Sequence, residues 1–490
     1  MSQISLNLGI DFGTQYTKVC FRDVDREKSY VVIPGKPEAC IEGSLIVSQV
    51  AIHPTSGVLL AGLTQPEWQY YLKKYPGLII IDFIKMRLAQ LDPGREGGNW
   101  YSSKLPIVNG IDLSQSHALE NLCAFFLCQV IRRSKDWIYL NKADLVKGLT
   151  IDWSANVGVP VEYCDSPARV RFQRVLCLAW HLSLRNANRL TLTDLNRFLN
   201  SVRSELETDK MPCFTLPEIA AAVYSYTFSR QAKRGTYIFF DIGGGTIEGA
   251  AFRFSRKDGA SKIDFLAGSV EPIGVNSLAK KIAGEKRDLE KKLEYSIIYN
   301  GTKILENIEK ISIQYKRSQG NPRSGDHIAN KYGVTVRYIK QMLQSGNFNL
   351  YATQVLILAQ ALIHRQVATV IRICSQRLPA PEMSNVIVFL GGGGMISKYY
   401  IDTIDSTYDA FGLQSTGMPR YSMRTIPAPD VDDFDMSGLE ETDFHRFSIA
   451  YGLTFPDYDV PTGFLPTQAP IIPPPPPIVI WTPETSHPDG

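Results

Sequence analysis

Three short glycine-rich stretches carry the residue types with which a chain can hold an anion or a metal ion. The first reads Leu8-Gly9-Ile10-Asp11-Phe12-Gly13-Thr14-Gln15-Tyr16-Thr17-Lys18-Val19. An apolar strand ends on Asp11, Gly13 permits a tight turn, and Thr17 to Phe21 returns as a second strand. Such a turn aims backbone N–H groups and the Thr14 hydroxyl at a phosphate, while Asp11 suits Mg²⁺ held through water. On its own this stretch is read equally well as an ordinary hairpin closed by glycine.

The second stretch, Tyr237 to Glu248, repeats the design: a buried strand, Asp241 at its end, Gly243-Gly244-Gly245, then Thr246 and an outgoing strand. Three glycines let the backbone approach a phosphate more closely than side chains would permit. Glu248, two residues past Thr246, is a candidate for the outer shell of a metal, or else a surface carboxylate. The third stretch is Val386-Ile387-Val388-Phe389-Leu390 followed by Gly391-Gly392-Gly393-Gly394-Met395, opening a helix that contains Lys398. A glycine run there allows a flat adenosine ring and ribose to lie against backbone. No G-x-x-x-x-G-K-[ST] occurs, which excludes a P-loop as the cradle.

The elements that must position these turns alternate. Short β-rich runs (Leu6 to Asp11, Thr17 to Arg22, Tyr237 to Asp241, Val386 to Leu390) are interleaved with helical stretches, which predicts α/β domains. At 490 residues the chain suits more than one core. Its net charge of +3 is too mild to imply nucleic-acid binding. The longest apolar candidate, Ala352 to Leu378, carries His364, Arg365, Arg372 and Arg377. Its apolar steps of three and four predict an amphipathic core helix rather than a membrane span. Eight scattered cysteines without a C-x-x-C pair, and no basic-then-apolar leader, predict reduced thiols in a cytoplasmic protein. Pro427 to Asp443 is acidic and predicted to be an exposed loop. From residue 461 onward the chain is proline-rich, with Pro473 to Pro477 consecutive, and is predicted to be a disordered tail or a docking peptide for a protein partner.

Two strand-Asp-turn-Thr hairpins and a later glycine turn, in that order, resemble the actin-like ATPase superfamily. That resemblance implies two actin-like (ribonuclease H-like) domains flanking a nucleotide cleft, with ATP or ADP and Mg²⁺ as cofactors. Further stretches resemble the nucleotide-binding domain of the heat shock 70 kDa chaperones: Asp82 to Leu88, Val157 to Tyr163, Leu216 to Tyr224 and Ala450 to Leu453. The expected layout is domain I over 1–228, domain II over 229–442, a returning helix near 443–458 and the tail over 461–490.

By the same resemblance, Lys85, Asp241, Thr246 and Glu218 are the catalytic residues. Gly13, Thr14, Gln15, Tyr16, Gly243 to Thr246, Gly391 to Gly394 and Met395 contact the nucleotide. Asp11, Asp241 and Glu248 hold the metal, mostly through water. Departures bear on turnover and base choice: Leu216 stands where the chaperones carry a glutamate, with Glu218 just beyond, and Met395 replaces an arginine that stacks on adenine. The peptide-gripping domain of the chaperones has no counterpart in the sequence. The expected activity is slow ATP hydrolysis driving a conformational switch toward a protein partner. A filament-forming structural protein, a small-molecule kinase and a nucleotide-binding scaffold without turnover share the same turns.

Overall fold

The computed structural model describes residues 3–35, 40–90, 105–185, 189–228, 232–257, 260–284, 286–306, 308, 348–383, 386–410, 421–430, 432–456, 463 and 465–469. It is a mixed α/β structure. Strands β1 (Gln3–Asp11), β2 (Tyr16–Asp23) and β3 (Lys28–Val31) form an antiparallel meander. Beside β1, β4 (Thr150–Val159) and then β5 (Cys213–Pro217) add in parallel, giving the order β5-β4-β1-β2-β3. The second sheet repeats this plan. Its meander is β6 (Gly235–Ile242), β7 (Ile247–Lys257) and β8 (Ala260–Glu271), with β9 (Ile387–Gly391) and β10 (Ser422–Thr425) parallel on the other side of β6. The two sheets share one strand order and one set of directions.

Parallel neighbours need long crossovers, and helices supply them in both halves. Between β3 and β4 lie α1 (Ile84–Ala89) and α2 (Ser116–Asn141); between β4 and β5 lie α3 (Pro167–Ser183) and α4 (Leu192–Arg203). Ser166 starts α3 by accepting the Ala168 N–H, with Pro167 in the first turn. Next, α5 (Glu218–Ala222) leaves the first half. The second half carries α6 (Val275–Ala283), α7 (Arg287–Tyr299) and α8 (Phe348–Arg377) between β8 and β9, then α9 (Lys398–Asp405). Along α8, Val355, Ala359, Val367, Val370, Ile371 and Cys374 are buried, as the spacing of apolar residues predicts. By length and composition α8 could cross a membrane, but it lies mostly inside the core.

The chain returns to the first half through α10 (Ser448–Gly452), which crosses α5 at very short range. A Cβ on Gly452 would sit 1.9 Å from the Ala221 carbonyl oxygen, and one on Gly9 would sit 2.3 Å from that of Ala450. Only glycine permits backbones to approach so closely. Ile219, Ala220, Phe389, Phe447 and Leu453 fill the apolar seam around the crossing. The return begins sooner than the sequence predicts. Phe434–Asp435 already pairs with β3 as β11, within the stretch assigned to domain II.

The tail also differs from expectation. Pro466–Gln468 forms a helical turn docked on the body, whereas 470–490 lie outside the described residues. Gly463 N–H donates to Ile263 O of β8, Arg377 of α8 donates to Pro466 O at 2.5 Å, and Thr467 N–H donates to Asp165 of the first half at 3.0 Å. The start of the tail is thus held by both halves.

Candidate functional site

Asp11 ends β1 and Asp241 lies one residue from the end of β6, the equivalent central strands of the two sheets. Each aspartate therefore precedes its turn at the same end of its sheet. The two turns meet. A Cβ on Gly245 would lie 2.2 Å from Thr14 Cγ2, and one on Gly244 would lie 2.0 Å from Gln15 Oε1. The glycines of the second turn are thus what allow the first turn to approach.

The second turn is held from behind by the start of α6. Gly274 N–H donates to Gly245 O, Val275 N–H to Gly243 O, and Asn276 and Ser277 N–H to Gly244 O; the Ser277 hydroxyl also reaches Gly245 O. These carbonyls are engaged, whereas the Gly244 and Gly245 N–H groups have no acceptor among the described residues. Successive backbone N–H groups left without acceptors in a turn are the donors from which anion-binding concavities are built.

Beneath the turns lies a cluster of buried charge. Lys85 on α1 and Glu218 at the start of α5 pair at 2.5 Å, with side chains 5% and 3% exposed. Glu218 packs over Gly158, where a Cβ would come within 2.5 Å of its Cγ. Burial opposes the charge on Lys85, yet Glu218, Asp11 and Glu248 outweigh it and hold the ammonium above its ordinary value. The residue before α1, Phe83, adopts φ +52°, a left-handed conformation that costs a non-glycine residue about 1 kcal/mol or more. Lys85 is the second residue of α1 after that bend.

Asp241 is half-buried as a residue, but its Oδ1 is fully enclosed and has no hydrogen-bond partner among the described residues. Burial raises its carboxyl to about 7, with Asp11 and Glu218 adding to the rise and Lys18 and Lys85 opposing it. Asp11 is paired with Lys18, directly opposite it on the hairpin. Glu248, expected in the outer shell of a metal, is buried on β7 opposite Asp241. It accepts the Val161 N–H at 2.7 Å, and burial followed by the Glu218 charge pushes its carboxyl well above the ordinary carboxylate range. Among the described residues no three His, Cys, Asp or Glu side chains converge as a direct metal cage. Asp11 and Asp241, at the strand ends, are the carboxylates that would hold Mg²⁺ through water, as that ion is commonly bound.

The third turn lies beside the second rather than apart from it. Gly394 N–H donates to Ile242 O at 2.8 Å, and Gly392, at φ +79°, leaves room for Asp241 Oδ1, 2.5 Å from where its Cβ would be. Met395, expected on the nucleotide, is instead packed in the core of the second half. Arg446, just before α10, takes the position against this turn: its Nη1 is 3.2 Å from the Cβ site of Gly393. Its charge also acts on the Tyr16 phenol, which burial and then Glu294 raise and Arg446 lowers.

Between the halves opens a cleft of about 910 Å³ lined by Thr14, Gln15, Tyr16, Trp68, Asn276 and Glu294, among others. Lys280 of α6 reaches across it to Asp82 and lies 4.9 Å over the Phe83 ring. Sequence reasoning missed Lys18, Lys280 and Arg446. The hairpin register would have found Lys18, since a turn after Asp11 sets the two face to face. No protein-family profile matches the chain, and no curated protein is significantly similar to it in sequence.

Proposed function

We propose that this chain is an ATP-binding molecular switch of the actin-like ATPase type, resembling the nucleotide-binding domain of the heat shock 70 kDa chaperones. In this reading the two halves are two actin-like domains and the nucleotide lies in the cleft between them. The observation that carries it is the meeting of two like-built glycine turns, one from each half, over the Lys85–Glu218 pair and the unpartnered Asp241 oxygen.

The Gly243 to Thr246 turn and the Thr14–Gln15 turn bind the β- and γ-phosphates through backbone N–H groups and the Thr14 and Thr246 hydroxyls. Mg²⁺, when bound, neutralises developing charge on the phosphate oxygens. Lys85, fixed by Glu218, donates a hydrogen bond to the attacking water, and Asp241 accepts one from it, so that catalysis is positioning and electrostatics. Glu218 takes the role of the glutamate that Leu216 replaces, because α5 brings its carboxylate to Lys85. Phosphates entering between turns that already touch must part them, so bound and free states differ in contacts and a ligand can shift the balance between them. The docked start of the tail is anchored to both halves and would feel that movement, which supports coupling to a protein partner through 463–490.

Calorimetric titration with Mg·ATP and a phosphate-release assay, on the intact chain and on Asp241→Asn, test the reading. Expected are micromolar-range binding and slow turnover, with turnover abolished in the variant. Absence of binding to the intact chain overturns it. ATP-dependent pelleting would move the chain to the filament-forming branch.

A further inference from the structure

Helix α6 touches both halves of the molecule. At its start it backs the second glycine turn: the Val275 and Asn276 N–H groups donate to Gly243 O and Gly244 O, and the Ser277 hydroxyl donates to Gly245 O at 2.6 Å. Asn276 also ties α6 to its own half, its side-chain amide donating to Glu290 of α7 at 2.9 Å and to Glu294. Lys280 follows Ser277 by one turn and so lies on the same face of the helix. Its ammonium leaves that half altogether, pairing with Asp82 Oδ2 across the cleft and lying 4.9 Å over the Phe83 ring.

We propose that Lys280 is a positioning residue, which through Asp82 holds the Lys85 helix in register with the glycine turn that α6 carries. This role rests on the nucleotide reading above, in which Lys85 orients the attacking water. Asp82 divides its carboxylate between the two helices. Its Oδ2 takes Lys280 of α6, and its Oδ1 takes Arg87 of α1 at 3.3 Å. Arg87 Nε also donates to the Asp82 carbonyl oxygen at 2.8 Å. Only Phe83 separates Asp82 from α1, and its left-handed backbone persists only where the surroundings hold it. Lys85 follows two residues later.

The contact is weak enough to make and break. Side chains 39% and 18% exposed, as Lys280 and Asp82 are, form a pair that shifts an equilibrium only a few-fold, and the ring contact adds a similar factor. Links without Lys280 keep the halves together: Glu248 accepts the Val161 N–H at 2.7 Å, and Glu162 accepts the Val270 N–H at 2.6 Å. Loss of Lys280 therefore leaves a folded chain in which α1 and the glycine turn can drift relative to one another. A misplacement of about 1 Å can cost ~100-fold in rate. Because only part of the population leaves register, the expected fall in turnover is smaller, about five- to tenfold.

Two measurements on the full chain, Lys280→Met, Lys280→Arg and Asp82→Asn test this: steady-state ATP turnover, and hydrogen exchange without nucleotide. Lys280→Met should lower kcat about five- to tenfold. Its KM should stay near that of the intact chain, because Lys280 contacts α1's end of the cleft and not the glycine turns. Lys280→Arg should recover most of kcat by keeping the charge. Lys280→Met and Asp82→Asn should each speed exchange of the Ile84 to Ala89 amides, and combining them should add little to Asp82→Asn alone. Unchanged kcat in a folded Lys280→Met chain overturns the inference. So does a change confined to KM, which would make Lys280 a ligand contact. Failure of the intact chain to bind ATP would overturn the nucleotide reading instead. The exchange measurement would still decide whether Lys280 sets α1, since equal exchange in Lys280→Met overturns that register with or without nucleotide.

Discussion

Lys85 Nζ and Glu218 Oε1 meet at 2.5 Å in the interior, although the two residues come from helices far apart in the chain and their pairing is nearly shielded from water. A buried pair broken on one side leaves a charge without its partner, which costs about 3–5 kcal/mol. Glu218→Gln should lower the thermal unfolding temperature by several degrees. If Lys85 positions the attacking water, ATP turnover should also fall ~100–1000-fold, the scale on which single polar groups act in such sites. Nucleotide affinity should change little, because Glu218 lies beneath the turns rather than in them. Turnover unchanged in a folded variant would remove Lys85 and Glu218 from the mechanism.

Asp241 makes both stability and binding depend on pH. Its folded value of about 7 stands above the ordinary 3.8, so the unfolded chain gives up this proton first as pH rises. The folded chain therefore holds more protons between roughly pH 4 and pH 7, and this group's contribution to stability declines across that window. Urea midpoints at pH 5 and pH 8 should show a decline that Asp241→Asn removes. Mg²⁺ favours the ionised carboxylate. Mg·ATP affinity should therefore rise from about pH 6 to pH 8 in the intact chain and stay flat in the variant.

The crossing of α5 and α10 can be tested through stability alone. A methyl group at position 452 would collide with the Ala221 backbone, 1.9 Å from its carbonyl oxygen, and backbone cannot rotate aside as a side chain can. Overpacking of this kind costs about 1–3 kcal/mol or more. Gly452→Ala should reduce the urea midpoint accordingly and loosen the relation between the halves, seen as faster hydrogen exchange in Ile219 to Val223. An unchanged midpoint would show that the two helices are not so closely apposed.

Much of this was legible in the residues, and the reasons differ from place to place. Asp11 and Asp241 announce their strands and turns because strand, carboxylate and glycine follow one another within a few positions. The α8 stripe was legible because an apolar period of three to four residues, sustained over about five turns from Val355 to Cys374, fits a helix with one buried face and does not fit a strand. The two-residue strand Phe434–Asp435 was not, since no periodicity can register in two residues set in an acidic stretch. Met395 was misplaced because sequence order put it at the turn, whereas its side chain prefers the apolar core it can reach. Arg446 arrives from the far end of the chain, and only the crossing of α10 with α5 brings it there.

The docked start of the tail predicts an effect at a distance. Arg377 and Asp165 hold it from opposite halves, so a change in their relation should strain or release it. Arg377→Met removes one of the tail's anchors on the second half, leaving the Gly463 bond to Ile263, without touching the turns. Limited proteolysis should then cut near residues 463–469 several-fold faster, and Mg·ATP should alter the cutting rate of the intact chain but not of the variant. Equal rates with and without nucleotide in the intact chain would separate the tail from the switch.

Arg446 carries the test of base recognition. Its guanidinium is 22% exposed, lies against Gly393, pairs with Asp443 at 3.5 Å and also acts on the Glu42 carboxylate. A planar cation in that position can stack on a base or bond to ribose and phosphate edges, and such contacts are worth about 1–2 kcal/mol when shielded from water. Arg446→Met should therefore weaken ATP binding by about tenfold, at 1.4 kcal/mol per decade. Arg446→Lys should fall between the two, since an ammonium keeps the charge and loses the plane. Repeating the titrations with adenosine separates the two contacts. An equal loss for adenosine and ATP assigns the guanidinium to the base, whereas a loss confined to ATP assigns it to the phosphates. Full affinity in the Arg446→Met chain would leave the third turn with no side chain of its own on the nucleotide.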